Sequence, residues 1–298
     1  MGTIIKSSYA SPDGPRSSIG MAVFAAKNCL KKAGVQIQDI DLLINIGVFR
    51  DENLIEPAMA PLIQQQLGMN CDPVKNDHIH RTTFSFDIND GECGFLTAVS
   101  VADAFLKSGA AKYALIVSGD IHPSKSDHPD FPFRSVATAI LLGYSEDAEQ
   151  GFSRFYFKTS GNGHIGFSAN VDLSRNGDKS RECMEFSMVE KYHEQLSGFT
   201  AEMMNELIIS GAIHPAEINY IVTSHHRKGF GDQIARSLPI NGTPQVIDLY
   251  DRYGNSHTSA LSLCYHHLVS DDLLKKSEHI LFIGAGSGMS AACSLYKV

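Results

Sequence analysis

The sequence predicts a duplicated α/β fold in which buried strands alternate with amphipathic helices. Thr82–Asp120 runs strand, sharp polar turn, helix and strand. Gly34–Gly47 (GVQIQDIDLLINIG) resembles Gly211–His225 (GAIHPAEINYIVTSH), and each joins a helix end to a buried strand. The order FDI, helix, ALIVSGD is likewise repeated as IDL, helix, ILFIGAG. We therefore expect two similar halves, residues 1–150 and 151–298.

In the first half, apolar runs bounded by turn residues predict strands, and apolar residues at helical spacing predict helices. Gly34 and Ser108-Gly109 are expected to end two of the helices. Ile121–Arg134 is rich in His, Asp and Pro and is expected to be a loop. The predicted strands are Ile4–Tyr9, Ile40–Ile46, Phe84–Ile88, Tyr113–Val117 and Val136–Leu142, and the predicted helices are Ser17–Ala33, Ala58–Leu67 and Phe95–Leu106.

In the second half, Phe152–Lys179 is rich in Gly, Asn and Ser and is expected to be an irregular connection, with weak strand character at Phe155–Phe157. The same patterns predict four strands and three helices after it. The strands are Ile218–Thr223, Gln245–Leu249, Ile280–Ile283 and Ser290–Tyr296, and the helices are Phe186–Ile209, Phe230–Leu238 and Ser256–Leu268.

Composition limits the classes of function. The chain of 298 residues carries a net charge of −8 and lacks a Lys/Arg cluster, which argues against nucleic acid and anionic membranes as partners. Its first residues have no apolar signal core, and no apolar run reaches membrane-spanning length. Six cysteines are scattered without CxxC pairs, which favours reduced thiols in a cytoplasmic protein over disulfides or a zinc site.

Polar residues follow equivalent strands of the two halves. Glu92 and Cys93 stand at a strand-to-helix turn, where unpaired N–H groups and the helix dipole favour negative charge. Ser224 and His225 follow a buried strand, and Asn255 lies in a turn before a helix. Because ligands in α/β sheets bind beyond the carboxyl ends of strands, we expect these turns to converge on one site.

The segments carrying these residues resemble the thiolase superfamily, and within it the ketoacyl-ACP synthase III branch. FDINDGECGFLTAVSVADAFLKSGAAKYALIVSGD is similar to the family's nucleophile segment, DRYGNSHTSALSL to its Asn-bearing turn, and ILFIGAGSGMSAAC to its last hairpin. The resemblance implies a thiolase-like αβαβα five-layer fold, usually dimeric. It also implies action on acyl groups carried as thioesters by CoA or acyl carrier protein, with no tightly bound cofactor. We expect the dimer to form through Tyr113–Val117.

The chain also departs from the family. Aligned without gaps, the family's nucleophilic Cys falls on Glu92 and its catalytic His on Ser224, whereas its Asn falls on Asn255. The family's GDGA turn reads Arg134-Ser135-Val136-Ala137. The family's N-terminal region normally holds a Trp that stacks on the adenine of CoA, and this chain has no Trp. Ordinary condensation through a Cys acyl-enzyme is therefore disfavoured.

Two readings remain open for each residue of the nucleophile turn. Glu92 could act as a general base or orient water, or it could simply cap the helix. Decarboxylating ketosynthase domains carry Gln at this place, so malonyl decarboxylation is a further possibility, although a Glu charge repels a malonyl carboxylate. Cys93 could be the nucleophile, but one residue further into a helix rotates its side chain by about 100° towards the core.

The other candidates are treated in the same way. A bulge could turn His225 into the pocket, where with Asn255 it would donate hydrogen bonds to a carbonyl or enolate oxygen. His257 is an alternative donor, or a packing or capping residue. Gly284 and Gly286 suit a close backbone approach and an oxyanion site, and the chain ends too soon after them for a dinucleotide fold. The spacing of a set of loop histidines matches no metal site, so none is expected; these are His78, His80, His122 and His128.

Two functions follow. The first is an atypical synthase III-like enzyme that transfers, hydrolyses or decarboxylates thioester-bound acyl groups through Glu92, with His225 and Asn255 polarising the carbonyl. The second is a catalytically silent subunit that pairs with an active ketosynthase. The expected partners are the acyl thioester, carried by CoA or acyl carrier protein, and a second chain in a homodimer or a heterodimer with a ketosynthase homologue.

Overall fold

The computed structural model describes residues 2–72, 82–123, 131–147, 149–161, 166–171, 184–240, 244–286 and 288–298. Two sheets form its centre. The first has five strands in the order β1-β5-β4-β2-β3, and the second has six, in the order β11-β10-β12-β13-β6 with β7 also paired to β13. A separate two-stranded sheet joins β8 and β9. These labels refer to the residue ranges that follow.

The first half follows the predicted order of elements closely. Each strand lies within two or three residues of its expected position, because apolar runs bounded by polar turns mark buried strands well. The strands are β1 (Gly2–Ser11), β2 (Leu42–Asn45), β3 (Phe84–Asp87), β4 (Tyr113–Ser118) and β5 (Ala137–Ser145), and the helices are α1 (Ser18–Ala33), α2 (Met59–Leu67) and α3 (Gly94–Lys107).

The second half contains more strand than the sequence predicts. The strands are β6 (Gly151–Phe152), β7 (Tyr156–Thr159), β8 (Phe167–Val171), β9 (Met184–Met188), β10 (Tyr220–Thr223), β11 (Gln245–Ile247), β12 (His279–Gly286) and β13 (Ser290–Lys297). The helices are α4 (Tyr192–Ile209), α5 (Phe230–Arg236), α6 (Tyr250–Tyr253) and α7 (Ala260–Ser270).

One helix prediction is wrong at its start. The helix expected from Phe186 begins at Tyr192, because residues 184–188 pair with β8 as an antiparallel strand. The segment expected to be irregular likewise contains β6 and β8, whereas β7 lies close to the weak strand expected at Phe155–Phe157. Short strands that are exposed on one face carry little apolar signal, so tertiary pairing decides their conformation.

The two sheets repeat one pairing pattern. In the first, β2 lies parallel to β3 and β4, and β4 is antiparallel to β5. In the second, β10 lies parallel to β11 and β12, and β12 is antiparallel to β13. This match confirms the duplicated fold and places the ends of β4 and β12 in equivalent positions.

Three apolar clusters define five layers. Helices α3 and α7 lie between the two sheets, where residues such as Phe95, Leu261 and Phe282 pack together. Helices α1 and α2 cover the outer face of the first sheet, with Met21 and Ile63 in their cluster. Helices α4 and α5 cover the outer face of the second. The order is helix, sheet, helix, sheet, helix, as the family resemblance implies.

The predicted dimer strand is wrong. Strand β4 is hydrogen-bonded to β2 on one side and to β5 on the other, so it has no free edge for a second chain. The run Tyr113–Val117 is apolar because it lies in the centre of a sheet that is covered on both faces. No helix in the described part of the chain is long and apolar enough to cross a membrane.

The start of α1 depends on a carboxylate from another loop. Asp51 accepts hydrogen bonds from the Ser18 backbone N–H at 3.0 Å and from the hydroxyl of Ser17 at 3.0 Å. Ser17 also caps the helix by accepting from the N–H of Gly20, and Gly34 ends it in the left-handed conformation. The Asp51 loop is thereby fixed to the outer helix layer.

Replacing Asp51 with Ala should lower the free energy of unfolding by about 1–2 kcal/mol, because it removes the charge and the acceptor at the helix N-terminus. Urea unfolding measures the change. Asp13→Ala, at an exposed position, is the matched control for loss of one carboxylate. Equal stability of the two variants would contradict this account of the cap.

Candidate active site

Glu92 lies in a single 3₁₀ turn, Gly91–Cys93, that leads directly into α3. Its side chain is buried, with 8% of its surface exposed. Gly91 has φ of 48°, in the left-handed region that favours glycine, and this turns the chain from β3 towards the helix. The sequence thus places a carboxylate at a helix N-terminus, as expected.

Cys93 points away from this position into the core between the sheets. Its residue surface is 1% exposed, and its Sγ is 3.8 Å from Ser290 Oγ. Burial and the nearby charge of Asp90 raise the pKa of the Cys93 thiol far above its ordinary value. A thiol held protonated in this way is a poor nucleophile, so Cys93 acts as a small apolar side chain.

Two histidines face the two oxygens of Glu92. His226 Nδ1 lies 3.5 Å from Oε1, and His257 Nε2 lies 3.7 Å from Oε2. Both rings are almost fully buried. These distances exceed those of good hydrogen bonds but are within the range of charge pairing. Glu92, His226 and His257 therefore form one buried cluster.

Asp120, the last residue of the opening strand-helix-strand segment, supports His257 from behind. Its Oδ2 accepts hydrogen bonds from His257 Nδ1 at 2.8 Å and from Thr258 Oγ1 at 2.6 Å. Its Oδ1 accepts from the backbone N–H groups of Val48 at 2.6 Å and Phe49 at 2.8 Å. With so many donors, Asp120 is a fixed negative charge that orients the imidazole.

The charge of His257 follows from these neighbours. Burial alone would lower the pKa of His257, but the negative charges of Glu92 and Asp120 outweigh it and raise the pKa. Burial alone would likewise raise the pKa of Asp120, but the His257 charge and the donated hydrogen bonds lower it. The two carboxylates therefore favour the protonated imidazolium form of His257.

His226 has a different proton arrangement. Its Nε2 lies 2.7 Å from the backbone oxygen of Ala285, which can only accept, so Nε2 carries a hydrogen. In the neutral ring, Nδ1 then presents a lone pair towards Glu92 Oε1. A single proton, or a donor placed between them, satisfies both atoms. Both atoms therefore face the space between them as acceptors.

His257 adopts an uncommon backbone conformation, with φ of 47°. A non-glycine residue in the left-handed region is strained, and such residues concentrate at functional sites. Asn255 helps to hold the turn, because its Oδ1 accepts a hydrogen bond from the His257 N–H at 2.9 Å. Asn255 therefore lies at the site as expected, but its side-chain oxygen is used to shape the turn.

The expectation that a bulge turns His225 into the pocket is wrong. His225 Nδ1 lies 3.0 Å from Ser256 Oγ, and its Nε2 lies 3.2 Å from Cys264 Sγ, both in the core. Ser224 is also structural, since its Oγ accepts from the Ala285 N–H at 2.9 Å. In this segment the histidine that reaches Glu92 is His226, the next residue along the chain.

The glycine-rich end of β12 lies directly against the Glu92 turn. A Cβ at Gly284 would come within 2.9 Å of the Glu92 backbone oxygen, and one at Gly286 within 2.8 Å of Glu92 Oε2. The predicted close approach is confirmed. The role of these two glycines in binding an oxyanion stays a prediction.

A cavity of about 340 Å³ opens at Glu92. His226 and Asn255 also reach it, so the charged cluster lies at one end of a mainly aromatic space. The aromatic and aliphatic residues that line it are Pro132, Phe133, Phe167, Phe186, Met188, Tyr192, His193 and Tyr250, with Ser187 beside them.

Several other predicted positions lie elsewhere. His122 packs edge-on against Phe131, with ring centroids 5.2 Å apart. His78, His80 and His128 fall outside the described residues. Within the described ranges, no three His, Cys, Asp or Glu side chains are arranged to hold a metal ion. Arg134 begins the segment that stands in place of the family's GDGA turn. Its backbone N–H donates a hydrogen bond to the Asn255 backbone oxygen at 2.7 Å, which links the two halves beside the site.

Family models match both halves of the chain. The model described as 3-oxoacyl-[acyl-carrier-protein (ACP)] synthase III matches residues 86–161. The model of the synthase III C terminal matches residues 210–298, and together they span more than half of the chain. The chain belongs to the 3-oxoacyl-[acyl-carrier-protein] synthase III family.

Similar curated proteins carry the corresponding name. The beta-ketoacyl-[acyl-carrier-protein] synthase III of Ehrlichia canis is 26% identical over 301 residues, which cover 99% of this chain and 88% of that protein. The protein of that name from Rhodospirillum centenum is 24% identical over 308 residues, with the same two shares covered.

Solved structures show the same fold. The synthase III of Aquifex aeolicus matches with a TM-score of 0.79 at 19% identity and covers 100% of both chains. The priming beta-ketosynthase of the R1128 polyketide pathway matches with a TM-score of 0.82 at 17% identity, over 100% of this chain and 96% of that one. A Xanthomonas campestris OleA variant with bound lauric acid and lauroyl-CoA matches at 0.71 and 18%, over 95% and 83%.

Sequence reasoning missed Asp120 and His226. Asp120 lies just beyond the end of β4 at Ser118, and β4 is equivalent to β12, whose end carries Gly284 and Gly286. This position at the same sheet edge was a usable signal. His226 was overlooked because the ungapped alignment of the flanking segments places the family's catalytic His at Ser224, two residues earlier. The side chains that contact Glu92 are each two residues beyond the expected Ser224 and Asn255.

Alanine substitutions at Gly284 and Gly286 should have different costs, because Gly284 lies against the backbone of the Glu92 turn and Gly286 lies against the Glu92 carboxylate. Gly284→Ala forces a Cβ against backbone atoms of residue 92 and should lower the free energy of unfolding by about 1–3 kcal/mol. Gly286→Ala presses on the movable Glu92 carboxylate and should cost less. Urea unfolding of both variants tests this, and Gly286→Ala should cost still less in a Glu92→Ala background. An unchanged cost there would contradict the contact.

His225 should contribute to acid sensitivity. Burial lowers its pKa from 6.5 to about 4, so between these values the unfolded chain binds a proton that the folded chain does not. Stability is therefore lost as pH falls through this window, by about 3 kcal/mol at pH 4. Unfolding at pH 7 and pH 4.5 should show a smaller pH difference for His225→Gln than for wild type. The exposed His214→Gln is the control, and an equal reduction in it would refute the assignment.

Proposed function

We propose that this protein acts on acyl thioesters by acyl transfer to water or another small acceptor, without an acyl-enzyme on Cys. The observation that carries the proposal is Glu92, flanked by His226 and His257 at the end of an aromatic cavity. Lauroyl-CoA bound to OleA, and the acyl carrier protein in the relatives' names, support a thioester carrier as the other part of the substrate.

Glu92 and His226 together can hold and activate the acceptor. Glu92 Oε1 and His226 Nδ1 are two acceptors 3.5 Å apart, and a water that donates one hydrogen to each keeps a lone pair free for attack. The water oxygen bonds to the thioester carbonyl carbon, and its proton passes to this pair. When the carbon–sulfur bond breaks, the same proton can return to the departing thiolate.

In this proposal, His257 and Asp120 position the Glu92 carboxylate, which is the general base. Asp120 holds His257 as an imidazolium, and the positive ring pairs with Oε2 of Glu92. The N-terminus of α3 adds a partial positive charge at the same carboxylate. Backbone N–H groups of the Gly284–Gly286 segment are the proposed partners of the carbonyl oxygen as it gains negative charge.

Malonyl decarboxylation fits this cavity less well. Among the described residues that line the cavity, Glu92 is the one with a carboxylate, and none is a Lys or Arg that could bind the carboxylate of a malonyl group. A malonyl group would bring its negative charge towards Glu92 with only the histidines to offset it. An uncharged acyl group meets no such penalty.

A catalytically silent subunit is the second candidate. It is favoured by the loss of a reactive thiol, since Cys93 is buried and protonated. It is disfavoured by the cost of keeping Glu92, His226, His257 and Asp120 buried together, because buried charges are expensive to retain without a use. Either form could pair as a homodimer or with a ketosynthase homologue in the cytoplasm.

Thiol release from acyl-CoA and acyl-pantetheine thioesters tests the proposal. Glu92→Gln keeps the shape but removes the base, and it should lower kcat by about 10²–10⁴-fold. His226→Asn should lower it to a similar degree. Cys93→Ala is the control and should retain turnover, since the thiol does not reach the cavity.

The outcomes separate the two candidates. Turnover that depends on Cys93 and survives Glu92→Gln would overturn the general-base assignment. A purified wild-type protein that turns over no thioester alone, but changes the activity of a co-purifying ketosynthase, would favour the silent subunit.

A further inference from the structure

We infer that the cavity beside Glu92 selects an uncharged aromatic acyl group, such as a benzoyl or phenylacetyl group, over a saturated one of the same size. The inference rests on the proposed function only in taking the ligand to be an acyl thioester. Its evidence is the arrangement of the aromatic rings that line the cavity.

Three phenylalanines form a connected array on one wall. The centroids of Phe133 and Phe167 are 5.8 Å apart with an interplanar angle of 77°, and those of Phe133 and Phe186 are 6.4 Å apart at 77°. Phe167 and Phe186 are stacked at 6.1 Å and 26°. All three line the cavity. These are the edge-to-face and offset geometries that aromatic rings prefer.

The β8–β9 pair presents two of these rings on one face. Phe167 lies opposite Met188, and Phe186 lies opposite Ala169, two residues further along. Alternation along a strand places all four side chains on the same side of the pair. Of these four residues, Phe167, Phe186 and Met188 line the cavity.

Phe133 connects this wall to the charged cluster. Its ring centroid lies 4.2 Å from that of His257, at an interplanar angle of 33°. Phe133 itself is 6% exposed and so is held in place by its surroundings. An acyl ring packed against this array therefore lies next to Glu92, where the thioester carbonyl must be placed for attack.

The size and charge of the cavity fit the same class of ligand. Its volume of about 340 Å³ is at the lower end of the range for small-molecule sites. The lining offers Ser187 and Asn255 as neutral polar groups, and among the described residues it includes no Lys or Arg to hold a carboxylated acyl group. A compact neutral ring gains edge-to-face contacts there that a saturated ring of equal size cannot make.

Binding of two matched probes tests the inference without requiring turnover. The probes are pantetheine amides in which NH replaces the thioester sulfur, one carrying benzoyl and the other cyclohexanecarbonyl. Calorimetry on the full-length protein should show about twofold to tenfold tighter binding of the benzoyl amide. In Phe186→Leu this preference should fall towards one, whereas Phe84→Leu, at an exposed position on β3, should retain it.

Equal affinities, or tighter binding of the cyclohexanecarbonyl amide, would overturn the inference. So would a preference that is unchanged in both Phe186→Leu and Phe167→Leu when circular dichroism shows that both variants are folded. These results are independent of catalysis. A benzoyl preference together with no effect of Glu92→Gln on thioester turnover would reject the proposed base and leave the selectivity standing.

Discussion

The burial of Asp120 is the constraint on which the rest of the site depends. Its carboxylate accepts hydrogen bonds from backbone N–H groups just after β2, in the first half of the chain. It also accepts hydrogen bonds from side chains just before α7, in the second half, and so links the two halves. A buried charge is tolerable only when such donors surround it. One of those donors is the ring of His257. The hydrogen bond between His257 and Asp120 therefore both links the two halves and favours the positive charge of the ring beside Glu92.

The fold could be predicted because it follows from patterns that are local in sequence. Buried strands such as β2 and β10 are nearly continuous apolar runs, and α1 has both a capping Ser17 and a terminating Gly34. The β8–β9 pair could not be predicted in this way, since each strand is half exposed and is held by the other. The dimer strand was misjudged for a related reason: an apolar run shows burial, but it does not show what buries it.

The site was predicted in part. Glu92 was expected at the helix N-terminus, and Cys93 was left open between a nucleophile and a core thiol. The structure has Cys93 in the core, because one step along a helix changes the direction of a side chain by about 100°. The direction of a side chain in an irregular turn has no such rule. His225 and His226 follow β10 without regular structure, and only their partners, Ser256 for one and Ala285 for the other, decide which ring faces Glu92. Those partners lie far away in the sequence, so alignment of the flanks gave the wrong residue.

The left-handed backbone at His257 also bears on how readily the chemistry of this site can change. Asparagine is among the non-glycine residues that tolerate this conformation best. An Asn at 257 would thus follow the same chain path at no conformational disadvantage, yet it would put a neutral amide where an imidazolium now pairs with Glu92. A single side chain therefore separates the shape of the site from its electrostatic character. The chain path at this position can therefore persist when the positive charge does not, although the change would also remove the ring that donates to Asp120.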